Sequence, residues 1–249
     1  MLTALAGGFV DVGGTAFGVT TTTTTTTVPS STTTTTTVPS STTTIPKRRR
    51  IPILRLGDKG RLVLVLQRHL AALGYWLGPP NGIFGDSTQQ AVYALQKAAS
   101  LSPDGVVGRA TARAVARRTR PRPRSTSGNV VEVNLRRDLL MIVRNGKLAA
   151  ILNTSTGGGY RYVSKGVTAI AKTPLGVFHI LRQVNGLDVS PLGQLWRPKY
   201  FYSGFAIHGD SFVPPYPISH GCVRVSNEAI NWIWGHNLMP LGMEVWIYS

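Results

Sequence analysis

One cysteine, Cys222, stands in the run Ser219-His220-Gly221-Cys222-Val223-Arg224, and a second His-Gly pair, His208-Gly209, lies upstream. A lone thiol cannot close an internal disulfide, which leaves it as a small buried hydrophobe, a metal ligand or a nucleophile. Two nearby histidines favour the nucleophile, because a free thiol titrates near ~8.5 and needs a neighbouring base to take its proton at neutral pH. His220 is two residues from Cys222, and in an extended segment the two side chains share a face. His208 is nevertheless the preferred base: Gly209 can offer a backbone carbonyl to orient its imidazole, completing a triad without a carboxylate. Asp210 is the alternative orienter. Gly221 has no side chain, so the amides of residues 221 and 222 can approach a developing oxyanion, a donor often worth ~3 kcal/mol, and acyl transfer is the reaction class this suits. Zinc is the rival chemistry, with His208, His220 and Cys222 as three ligands, but there is no HExxH, no CxxC and no second cysteine. His69, His179 and His236 read as structural.

These residues need a frame, and residues 129–249 predict a mainly β one, sandwich or barrel in kind. Val131, Val133 and Leu135 alternate with polar neighbours. The runs over 138–144 and 147–153 flank Asn145-Gly146, a strong hairpin signal. Further short apolar runs fall at 167–171, 176–182, 204–208 and 243–248, and one helix is expected from Ser226 to His236. Trp196, Arg197, Tyr200 and Tyr202 precede the first His-Gly pair and are candidates to line the cleft.

Residues 51–117 predict a small three-helix module. Leu62, Leu66, Leu70 and Leu73 recur at helical spacing, Gly74 ends that stretch, Asp86 or Ser87 can cap a second helix carrying Ala91, Val92, Leu95 and Ala98, and Asp104-Gly105 punctuates a third. Between the two regions, residues 118–128 (RTRPRPRSTSG) predict a linker, since alternating prolines prevent helix and like charges repel. Residues 1–50 predict a disordered region: TTTTTTVPSS at 22–31 is repeated at 32–41, the composition of a linker or of an O-glycosylated stalk.

Twenty-seven Lys and Arg against ten Asp and Glu give a formal charge of +17, so anionic partners are expected. The basic clusters at 47–50 and 109–124 adjoin linkers rather than alternate with aromatics, so a polyanionic surface or wall polymer fits as well as nucleic acid, and simple solvated linkers are the plain alternative. The first 19 residues lack a basic n-region, so no signal peptide is evident, and no apolar run reaches the ~18 residues of a transmembrane span.

LRLGDKG at 54–60, LQRHLAALGY at 66–75, NGIFGDSTQQAVYALQ at 81–96 and LSPDGVVGRAT at 101–111 resemble the peptidoglycan-binding type 1 domain, departing from its usual pattern at Asn81 and Leu95. TPLGVFHI at 173–180, FAIHG at 205–209 and YPISHGCVRV at 216–225 resemble the catalytic domain of the L,D-transpeptidases. That resemblance implies Cys222 as nucleophile, His208 as base, Gly209 as orienter through its carbonyl, His220 and Gly221 with Cys222 as the oxyanion-hole backbone, and Arg224 as partner of a substrate carboxylate. Tyr200 and Trp196 are expected on the substrate side. It further implies a 3→3 cross-link between peptidoglycan stems through a thioester, or trimming of tetrapeptide stems when water is the acceptor. No metal or cofactor, a monomeric chain and an extracytoplasmic, wall-associated or periplasmic location are the matching expectations. A wall-binding protein without catalysis is the alternative from another class.

Overall fold

The computed structural model describes residues 21–25 and 52–249, so the expectations for the rest of the N-terminal region lie outside the described residues. In the first helix, α1 (Arg61–Ala72), Val63, Leu66, Gln67 and Leu70 form the buried face. Leu62 is 54% exposed, against expectation. Steps of four residues advance 40° beyond a full turn, so a 62-66-70 row drifts around the helix while Val63 falls on the core side. Helix α2 (Asp86–Ala98) buries Ala91, Val92, Leu95 and Ala98 as predicted. Its N-cap is Gly85, without a side-chain cap, and Asp86 sits in the first turn, where its charge favours the helix dipole. Helix α3 (Arg109–Ala116) closes the module.

The β region opens with β1 (Val130–Asn134), β2 (Leu139–Arg144) and β3 (Lys147–Asn153), and Asn145 and Gly146 between the last two both take positive φ, at 50° and 69°. There follow a two-stranded hairpin, β4 (Arg161–Ser164) and β5 (Val167–Ile170), then β6 (Gly176–His179), β7 (Arg182–Gln183), β8 (Leu187–Ser190), β9 (Gly193–Tyr202) and β10 (Phe205–Asp210). The chain ends with β11 (Val223–Ser226), α4 (Asn227–Gly235) and β12 (Glu244–Tyr248). Ser226 caps α4 by accepting from the Ala229 amide.

One sheet runs β3-β2-β1-β12-β6 and the other β11-β10-β9-β7, with β8 also on β9. Val131, Leu140 and Val245 of the first sheet meet Phe201, Ile207 and Val223 of the second and Ile230 and Ile233 of α4 in one buried core. This is the expected sandwich beside a helical module. Strand β9, the longest, is not legible in the sequence: it carries Pro198 within it, Arg197 takes φ 50°, and Lys199, 1% exposed, occupies a core position.

The module and the sandwich share a core. Leu139 of β2 and Ile151 of β3 pack with Leu70, Tyr75, Leu95 and Ala114. The Trp76 amide donates to the Ile151 carbonyl (3.0 Å) and the Ile151 amide to that of Gly74 (2.8 Å), so the segment after α1 covers the open edge of β3. Residues 118–128, expected as a self-repelling linker, are pinned instead. The amides of Arg124 and Ser125 donate to the carboxylate of Glu132 at 2.9 and 2.7 Å, Arg120 reaches the Leu148 carbonyl, and the Arg124 guanidinium lies 3.6 Å over the Tyr248 ring. The fully buried Glu132 accepts these amides and the Tyr248 hydroxyl, and that anchor outweighs the repulsion of a few solvated arginines.

Candidate active site

Cys222 lies just before β11, and β11 pairs in parallel with β10 with His208 opposite Arg224, which places thiol and imidazole at the same end of neighbouring strands. Both line a cavity of about 390 Å³. The imidazole is 4% exposed, and its Nδ1 is 2.9 Å from the Gly209 carbonyl. A carbonyl can only accept, so that bond puts the proton on Nδ1 and leaves Nε2 as the basic nitrogen. Gly209 itself is packed: a Cβ there would stand 2.5 Å from Ile230 and 2.7 Å from Asn227. The Asp210 carboxylate, the alternative orienter, is turned to Arg224, 3.2 Å from its Nε.

Burial pushes the Cys222 thiol up from its ordinary value, partly offset by the Ala206 backbone and the Arg224 charge. Burial also pulls His208 down, against the Gly209 hydrogen bond and Asp210. The pair therefore rests as neutral thiol and neutral imidazole, and the Sγ approaches the Gly204 carbonyl at 3.9 Å.

His220 does not share that setting. Its ring stacks edge-on against Tyr162 (4.7 Å) and Tyr160 (5.6 Å) of the β4–β5 hairpin, so it joins a wall of the cavity to that hairpin. Among the described residues no three His, Cys, Asp or Glu side chains converge as metal ligands would, and the three-ligand arrangement open to the sequence is not assembled.

Gly221 takes φ 140°, and a Cβ there would stand 2.4 Å from the Phe205 ring and 2.8 Å from the Lys172 carbonyl, which explains the glycine. Its amide, expected in the oxyanion hole, donates instead to Ser219 Oγ at 3.0 Å, while that hydroxyl donates to the Cys222 carbonyl at 2.6 Å. The missed signal was Ser219, whose hydroxyl is the right length to turn back onto the motif. Among the described residues no backbone carbonyl accepts from the His220 or Cys222 amide.

Arg224 lines the cavity. Its Nε stands at ion-pair distance from Asp210 but is not aligned for a hydrogen bond. Tyr200 also lines the cavity, with its hydroxyl on Asp188 (2.7 Å) and the Arg182 guanidinium 3.8 Å over its ring. Asp188 and Arg182 were not singled out in the sequence. Trp196 is a correction: its indole packs under Gly209, with Nε1 on Asn231 (2.8 Å), and it is not among the residues lining the cavity. Arg197 bonds the same Asn231, and its positive φ breaks the alternation that would have put Trp196 on the β9 face of Tyr200.

Residues 128–247 match the model of the L,D-transpeptidase catalytic domain, and residues 59–115 that of a peptidoglycan binding domain. The crystal structure of an L,D-transpeptidase from Xylanimonas cellulosilytica is 47% identical, covers 82% of this chain and 100% of its own, and superposes with a TM-score of 0.77. A stretch of 66 residues of this chain is also 42% identical to part of the N-acetylmuramoyl-L-alanine amidase CwlL of Bacillus licheniformis. That match covers 26% of this chain and only 18% of the amidase. The chain belongs to the L,D-transpeptidase family, with a peptidoglycan-binding helical module ahead of the catalytic sandwich.

Proposed function

We propose that the protein is a cysteine acyltransferase acting on peptidoglycan stems and forming 3→3 cross-links through a thioester on Cys222. The observation that carries this is the Cys222–His208 pair in one cavity, with His208 Nδ1 held by the Gly209 carbonyl. The neutral imidazole takes the thiol proton at Nε2 as Sγ attacks the carbonyl joining the third residue, a diamino acid, to the fourth, D-Ala. The C–S bond forms, the oxyanion is met by the Cys222 amide with that of His220, and the proton passes from His208 to the departing amine as the C–N bond breaks. The side-chain amine of a second stem then attacks the thioester, gives its proton to His208 and restores the thiol. Water in its place yields a trimmed stem.

The neutral resting pair suits this sequence, since charge separates only when an acyl group is in place. Arg224 offers the cavity a guanidinium for a stem carboxylate, held on its other side by Asp210. The helical module keeps the enzyme on its polymer. An anionic wall polymer as a further partner fits the +17 charge, and a wall-associated, extracytoplasmic location follows from the substrate.

A defined disaccharide tetrapeptide, with products read by mass, tests the proposal. Wild type releases D-Ala and forms dimers, and Cys222→Ala forms neither. D-Ala release or dimer by purified Cys222→Ala would refute the thioester route, and release without dimer by wild type would assign water as the acceptor.

A further inference from the structure

Lys97 stands in the last turn of α2, 8% exposed, and is not among the residues lining the Cys222 cavity. Its Nζ donates to two carbonyls of the sandwich, those of Asp138 and Thr154, at 3.0 Å each. Both carbonyls belong to the anchorage of a buried strap over residues 153–157. The Thr154 amide donates to the same Asp138 carbonyl, and Thr156 Oγ1 donates to the Asp138 carboxylate. On its other side the strap holds the catalytic loop. Thr154 Oγ1 donates to the Arg224 carbonyl at 2.6 Å, Ser155 and Arg224 exchange backbone bonds at 3.2 and 3.0 Å, and the Ser219 amide donates to the Thr156 carbonyl at 2.9 Å. Ser219 is the residue whose hydroxyl closes on Cys222.

A second fastening lies seven residues earlier on the same face of α2. Gln90 accepts from Asn153 at 2.6 Å and donates to the Val213 carbonyl at 2.9 Å. Leu139 and Ile151 also pack against the module through apolar contact. A buried ammonium is costly to desolvate and adds what apolar contact lacks, a fixed point on which two carbonyls converge.

We propose that Lys97 is a positioning residue for Cys222: through the 153–157 strap, the helical module sets the geometry of the 216–224 loop and is part of the catalytic body, beyond its role in holding the polymer. This rests on the acyl transfer proposed above, and the test separates the two. In the full chain, Lys97→Met removes the ammonium and keeps the stem of the side chain, Thr154→Val removes only the donor to Arg224, and Lys59→Met, an exposed lysine of the same module, is the charge-matched control.

Amide exchange of residues 153–157 and 216–224, which needs no substrate, is expected to speed up in Lys97→Met and in Thr154→Val and to stay at the wild-type rate in Lys59→Met. For D-Ala release, kcat is expected to fall about tenfold with KM within about twofold, the split a displaced nucleophile gives. A folded Lys97→Met with wild-type exchange of 216–224 and wild-type kcat overturns the proposal. Should Lys97→Met fail to fold, Thr154→Val decides on the same two readouts. If wild type releases no D-Ala, the acyl-transfer reading fails, and exchange alone decides the role of Lys97.

Discussion

The two flanks of Cys222 are built on opposite plans. On one side the strap and the motif loop are sealed, with Thr154 and Ser155 fully buried and Ser219 1% exposed, and the hydroxyls of all three are hydrogen-bonded, although Asn153 Oδ1 and Arg224 Nε are buried without a hydrogen-bond partner. On the other side the walls of the cavity are thin hairpins with apolar side chains in solvent: Val163 and Val167 on β4–β5 are 68% and 65% exposed, and Leu187 and Val189 on β8 are 51% and 70% exposed. Buried hydrogen-bond networks fix positions, and exposed two-stranded elements are marginal on their own. Under the proposed acyl transfer, the sealed flank would set the reacting atoms and the open flank would offer a long substrate contact surface. The contrast yields unequal predictions: changes on the sealed flank should strike kcat and stability, and changes on the open flank should strike KM.

The largest effect is expected at His208. His208→Ala removes the base while the cavity remains, and D-Ala release should fall by at least about 10³-fold. In wild type the acid limb of kcat/KM should lie below the ordinary imidazole value of about 6.5, because burial depresses the folded-state value and the imidazole stays neutral until that lower pH is reached. An acid limb at or above 6.5 would contradict the buried, neutral pair.

Next comes Gly221→Ala. The added methyl meets the Lys172 carbonyl, backbone that cannot yield cheaply, at a φ of 140° that suits only glycine. Thermal unfolding should show a loss of about 2 kcal/mol or more, together with slower D-Ala release. Unchanged stability would mean that the loop is looser than the sealed flank requires.

The same contrast decides what could be read from residues alone. The motif around Cys222, the Asn145-Gly146 turn and the buried face of α2 were legible because each rests on local chemistry: a rare residue set, positive φ at two positions, a 3.6-residue period. Strand β9 was not, since its core position at Lys199 is polar and answered by Gln183 (2.7 Å) and the Trp234 ring (3.9 Å), partners distant in sequence. The pinned 118–128 segment hid for the same reason, its anchor Glu132 being one acid among ten. In the site, the grouping of Cys222 and His208 in one cavity, with His208 on the Gly209 carbonyl, could be anticipated because a thiol, an imidazole and a following glycine are residue types a sequence displays. Trp196 was misplaced and Ser219 missed because the direction of a side chain on an irregular strand, or across a two-residue turn, is set by backbone angles that no composition carries.

The smallest effect belongs to the open flank and separates the two plans most cleanly. Val189 lines the cavity from β8, opposite Gln194 on β9, and is exposed. Val189→Ser removes apolar surface without opening a core void, so stability should stay within about 0.5 kcal/mol of wild type. Loss of one apolar contact to a bound stem should raise KM two- to fivefold, about 0.4 to 1 kcal/mol, with kcat unchanged. If kcat fell instead, the β8 wall would be helping to position the thiol, and the division between a positioning flank and a contacting flank would have to be redrawn with β8 on the side of the strap.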